Sequence, residues 1–104
     1  MKLTDKQLDW ALHAAARWLA PRMGYEHETP VGEQAARNAS GPMLIKDWDW
    51  PSSGPTPTLI LEGGPEEWAY YLSADDAEIT RFREHGIHME PYASYALCLY
   101  RSEA

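Results

Sequence analysis

"PEEWAYYLS", residues 65–73, is the stretch on which the fold turns. In an extended backbone Trp68, Tyr70 and Leu72 share one side, and large aromatic residues favour a pleated surface. The competing signal is Pro65 followed by Glu66 and Glu67, a proline-led acidic opening suited to a first helical turn. The alternation carries the expectation. Residues 67–73 are read as a strand that pairs with "TLILE" (58–62) across a turn in "GGPE" (63–66). A helix over 66–73 would break that hairpin.

Downstream, Ser73 is expected to cap a short helix with Asp75 and Asp76 in its first turn and Arg83 and His85 in its last. That charge order suits the helix dipole, and Gly86 closes the helix. "IHME" (87–90) and "SYALCLYR" (94–101) then read as a second hairpin, joined through "PYA" (91–93). Tyr95, Leu97 and Leu99 fall on one face of the last strand, and Ala96, Cys98 and Tyr100 on the other. Two apolar faces predict a central strand.

Upstream lies "IKDWDWPSSGPTPT", residues 45–58. From Met43 to Trp50 the residues alternate, with Leu44, Lys46, Trp48 and Trp50 on one side and Met43, Ile45, Asp47 and Asp49 on the other. A half-buried strand over 43–50, tryptophans inward and aspartates outward, is the reading preferred to a ligand-binding edge. "PSSGPTP" (51–57) reads as a loop, because prolines cannot donate to a ladder.

Two helices are expected before this. Thr4 and Gln7 have capping-box spacing, and Leu3 with Leu8 occupy the positions of a hydrophobic staple. Leu8, Leu12, Ala15 and Leu19 form a stripe with Ala11 and Ala16 beside it, Trp18 flanks it, and Pro21 should end the helix near Ala20. Trp10 falls opposite the stripe at about 100° per residue, so a second layer covers it, the commoner case for so large a ring, or it is exposed. "TPVGEQAARNASGP" (29–42) suggests the second helix, capped at Thr29, with Pro30 in its first turn and Gly41-Pro42 stopping it. The expected fold is α+β, one domain over 1–104. A helical part (1–42) precedes a strand and proline-rich connector (43–57) and an antiparallel-rich ββαββ part (58–101).

Length predicts burial of roughly 65% of the unfolded surface, enough for a core without staples. Cys98 is the sole cysteine, so no internal disulfide can form, and its apolar setting marks it as a small buried hydrophobe. The absence of a long apolar run predicts a protein with no signal peptide and no membrane span, placed in the cytoplasm. Net charge is −7, and its distribution is uneven. Residues 47–78 hold eight acids (Asp47, Asp49, Glu62, Glu66, Glu67, Asp75, Asp76 and Glu78) and no lysine or arginine. Such a surface repels phosphate and disfavours direct nucleic-acid binding, while a one-signed patch speeds and orients encounter with a basic protein. The competing view is that the acids only keep the chain soluble.

Chemistry-bearing constellations are sparse. His85 and His88, with His27 elsewhere, could supply ligands to a metal-dependent enzyme, but Gly86 interrupts the helix between the first two, so no metal or other cofactor is expected. Adjacent carboxylates such as Glu66-Glu67 and Asp75-Asp76 diverge in either regular structure. The serines lack a nucleophile elbow. The leading expectation is a small acidic binding protein rather than an enzyme, of the kind that inhibits nucleic-acid-handling enzymes: an immunity, antitoxin or anti-CRISPR type, from a phage or mobile element. Its partner-binding residues would be Asp47, Asp49, Glu62, Glu66, Glu67, Asp75, Asp76 and Trp10. A metal-dependent enzyme and a structural or assembly module are the alternatives.

Overall fold

Thr4 and Gln7 do form the capping box that their spacing predicts. The Thr4 amide donates to Gln7 Oε1 at 2.8 Å and the Gln7 amide donates to Thr4 Oγ1 at 3.1 Å. In the computed structural model, which describes residues 3–22, 42–50, 54–61 and 67–102, this box opens α1 (Asp5–Arg22). Leu3 and Leu8 are both buried in the main core, as a staple requires. The helix runs two residues beyond its expected end. Pro21 lies in the last turn, where its missing N–H deprives only one carbonyl, and the Arg22 side chain donates to Trp18 O at 2.6 Å.

The remaining elements are β1 (Pro42–Trp50), β2 (Gly54–Leu61), α2 (Trp68–Ser73), α3 (Asp76–Glu84), β3 (Ile87–Ala93) and β4 (Ala96–Arg101). The class is α+β with a four-stranded antiparallel sheet in the order β1-β2-β4-β3. The second helix expected over 29–42 lies outside the described residues except at Pro42, which opens β1; the turn at 63–66 lies outside them too.

The strand expected at 67–73 is a helix, and this is the main correction. Both edges of β2 are already occupied, by β1 on one side and β4 on the other, so no ladder is left for it. Wound as α2, the segment buries Ala69 and Leu72 completely and turns Glu67, Tyr70, Tyr71 and Ala74 to solvent, the i, i+3, i+4, i+7 pattern of an amphipathic helix. The ββαββ order expected over 58–101 is therefore corrected: β1 and β2 form the first antiparallel pair, and two helices, not one, separate it from β3 and β4.

Strand β2 begins at Gly54, so residues 54–57 are not the expected loop. The Leu61 amide donates to Tyr95 O at 2.7 Å, toward β4, and alternate residues of a strand aim the same way. Pro55 and Pro57 share that direction, below the Thr58–Ile60 segment where β4 pairs, so neither costs a ladder bond. The far edge uses the same device. The Gly86 carbonyl accepts from the Ser102 amide, which places the backbone groups of His88 and Glu90 toward β4 and those of Ile87, Met89 and Pro91 outward.

The main core lies between the helices and one sheet face, where the α1 stripe meets Leu59 and Leu61 of β2, Leu97 and Leu99 of β4, and Phe82 of α3. On the other face Ile60, Ala96 and Cys98 are buried, with Ile45, Trp48, Ala93 and Tyr100 packed beside them. Strand β4 is central with two apolar faces, as read, while Tyr95 belongs to the turn before it. The alternation expected in β1 is broken by a bulge. Ile45 pairs with Thr58 and Trp48 with Thr56, so two β1 residues stand against one. Leu44 therefore packs on the main core and Trp48 on the outer cluster, not on one shared side.

Candidate interaction surface

Asp75, not Ser73, caps α3. Its Oδ1 accepts from the amides of Ala77 (3.1 Å) and Glu78 (3.4 Å), whereas the Ser73 hydroxyl donates back to Tyr70 O within α2. The other oxygen, Oδ2, accepts from Trp18 Nε1 at 3.0 Å and lies 3.8 Å from Arg22 Nη2. The Arg22 guanidinium in turn covers the Trp18 ring, 4.1 Å from its centroid. The Trp18 indole holds the Asp75 carboxyl below its ordinary pKa. The two amides and Arg22 act the same way, and partial burial opposes them.

This network fixes the elbow between α2 and α3 against α1. From it an aromatic chain leads outward: Trp18 meets Trp68 edge-on at 6.1 Å, and Trp68 meets Tyr71 edge-on at 6.0 Å. At its start, α2 is tied to the β3–β4 turn by a 3.0 Å bond from the Ala69 amide to Ser94 O. The outer face of α2 is therefore held at both ends. It presents Tyr70 and Tyr71, 41% and 50% exposed, with Glu67 at one end and Asp76 just past the other, both exposed. Tyr95, 42% exposed, follows Ser94 in the adjoining turn.

Of the residues expected at a partner surface, Glu67 precedes α2 and Asp76 opens α3, both exposed. Asp75 lies between them with both oxygens engaged in the fold. Asp47 is exposed but sits in the β1 bulge, at the sheet edge opposite β3, against which α2 and α3 pack. Asp49 stands in β1 opposite Pro55, while Glu62 and Glu66 lie outside the described residues. Trp10 is half-buried, stacked on His85 at 3.8 Å and edge-on to Phe82 at 4.9 Å, so the covering layer is α3. Glu78 is buried on α3 and bridges Arg81 at 3.1 Å.

His85 Nδ1 lies 3.0 Å from Arg81 O at the end of α3, and His88 Nε2 lies 3.9 Å from Glu90 Oε2; His27 is outside the described residues. Among the described residues, no three His, Cys, Asp or Glu side chains converge as metal ligands. Nor is any described helix long and apolar enough to cross a membrane.

Tyr70, Tyr71 and Tyr95 were not among the expected site residues. The signal was the excess of tyrosine over phenylalanine, six to one. It acquires a location only when 68–73 is wound as a helix. Chemically the face offers rigid rings, hydroxyls and carboxylates, a combination suited to contact with lysine and arginine side chains. No protein-family model, curated protein or solved structure matches this chain.

Proposed function

We propose that this chain is a small acidic binding protein, not an enzyme, and that it engages a basic protein partner through the outer face of α2. The observation that carries this reading is the pair of half-exposed tyrosines, Tyr70 and Tyr71, on a helix anchored at both ends, with exposed Glu67 just before it and exposed Asp76 opening the next helix. Tyrosine contributes contact area with little conformational entropy to lose, which suits an interface centre. Flanking acids steer a basic partner and set its orientation. Excess negative charge also suits a protein that competes with nucleic acid for a basic cleft, so an inhibitor of a nucleic-acid-handling enzyme is the preferred role.

The test is association with purified basic nucleic-acid-processing enzymes at low and high salt. The comparison is between the parent, a Glu67→Lys/Asp76→Lys variant and a Tyr70→Ser/Tyr71→Ser variant. Binding that weakens with salt and is lost in both variants is the expected result. Binding insensitive to salt and to both pairs of changes overturns the reading.

A further inference from the structure

Among the described residues, the phenylalanine, tryptophan and tyrosine side chains left exposed are all tyrosines: Tyr70 and Tyr71 on α2, Tyr92 in β3 and Tyr95 in the turn between β3 and β4. The bond from the Ala69 amide to Ser94 O joins these two regions. It sets the Cα atoms of Tyr70 and Tyr95, each the next residue along the chain, within about 12 Å of one another. One turn before Tyr70 and Tyr71 stands Glu67, exposed and without an ion pair among the described residues. Elsewhere the fold shows what completes such a set. Arg22 lays its guanidinium over the Trp18 ring at 4.1 Å, and Asp75 Oδ2 lies 3.8 Å from Arg22 Nη2 while accepting from Trp18 Nε1. Ring, carboxylate and guanidinium satisfy one another there. On α2 the rings and the carboxylate are in place and the cation beside Glu67 is not.

We infer that the α2 face and the β3–β4 turn receive arginine side chains of the basic partner, in preference to lysine. One guanidinium stacks on Tyr70 or Tyr71 within reach of Glu67, and another stacks on Tyr95. The inference rests on the basic-partner reading and narrows it to one side-chain chemistry. A planar guanidinium can lie on a ring face and still offer its N–H edge to a carboxylate, whereas an ammonium is a compact, strongly hydrated charge. It also extends the contact surface from α2 to the turn that the Ala69–Ser94 bond holds against it.

Two capped heptapeptides of equal charge, in which glycine alternates with arginine or with lysine, are the probes. Titrations of the intact protein followed by nuclear magnetic resonance give the affinities and the tyrosine ring shifts. The arginine peptide should bind about three- to tenfold tighter than the lysine peptide, the ratio that one or two exposed stacked cations imply. It should also move the ring resonances of Tyr70, Tyr71 and Tyr95. Tyr70→Leu/Tyr71→Leu and Tyr95→Leu change exposed positions, keep the apolar contact and remove the rings. Each should shrink the ratio, and all three changes together should bring it to about one. Equal affinities that fall with salt overturn the inference and leave the basic-partner reading standing. A preference untouched by the leucine changes, or one that leaves the Tyr95 ring unmoved, also overturns it. So does the absence of saturable binding by either peptide, while the basic-partner reading stands or falls on the salt-dependent association with enzymes described above.

Discussion

Gln7 does two jobs at once. Its Oε1 completes the α1 cap, and its Nε2 donates to the His85 carbonyl at 2.9 Å, satisfying the C-terminal end of α3. Thr4→Ala should lose about 1 kcal/mol of stability. Gln7→Ala should lose more, because a tertiary bond worth about 1 kcal/mol goes with the cap. Urea midpoints that rank the two the other way would show that the bond to His85 carries little. Gly86 sits beside that contact with φ +75°, and an added Cβ would fall 2.9 Å from Gln7 Nε2. A flexible amide can move aside, but the left-handed backbone cannot be relieved. Gly86→Ala should therefore cost about 1–2 kcal/mol, read as a lowered melting temperature. Asp75 adds a dependence on pH. Its folded pKa is depressed below the ordinary 3.8, so the contacts of the ionised carboxylate stabilise the fold above that value, and the contribution is lost as pH falls through the folded pKa. Asp75→Asn should be less stable than the parent near neutrality, and the gap should close as the pH drops below 3.8. A gap that stays constant across acid titration of urea unfolding would count against the Trp18 and Arg22 contacts.

Among the elements, local signals and neighbours divide the work. The capping box, the glycine stop after α3 and the doubly apolar β4 were legible because each depends on residues within one turn or one strand. The α2 segment was not. Trp68, Tyr70 and Leu72 satisfy a period of two while Ala69 and Leu72 satisfy a helical one, and six residues are too few to separate the periods. The β1 bulge was equally hidden, since an extra residue is visible only against the partner strand. It bears on Trp48, which is half-buried on the outer cluster and not in the main core. Trp48→Ala should therefore destabilise by less than the ~3–5 kcal/mol of a core aromatic truncation. A loss as large as that would mean the outer cluster carries as much of the stability as the main one.

For the molecule as a whole, charge and stability should separate. Glu67→Lys/Asp76→Lys changes two exposed positions, so denaturant midpoints should shift by no more than about 0.5 kcal/mol per site, while salt-dependent association is lost. A large loss of stability would place those carboxylates in the fold, as Asp75 already is. The candidate site was legible only in part. Eight acids in one third of the chain are a property of composition, but chain position does not give adjacency. Asp47 stands in the edge strand β1, Glu67 precedes α2 and Asp76 opens α3, and Asp75 and Glu78 are drawn into internal bonds. By itself the sequence determined the α+β class, the start of α1, the close of α3 and the central place of β4, because short-range hydrogen bonding and side-chain periodicity act within a few residues. Only the tertiary structure decided that 68–73 winds into a helix, that Trp48 turns to the outer face, and that two tyrosines face solvent between two acids. Those outcomes depend on which backbone edges and core faces other segments had already occupied.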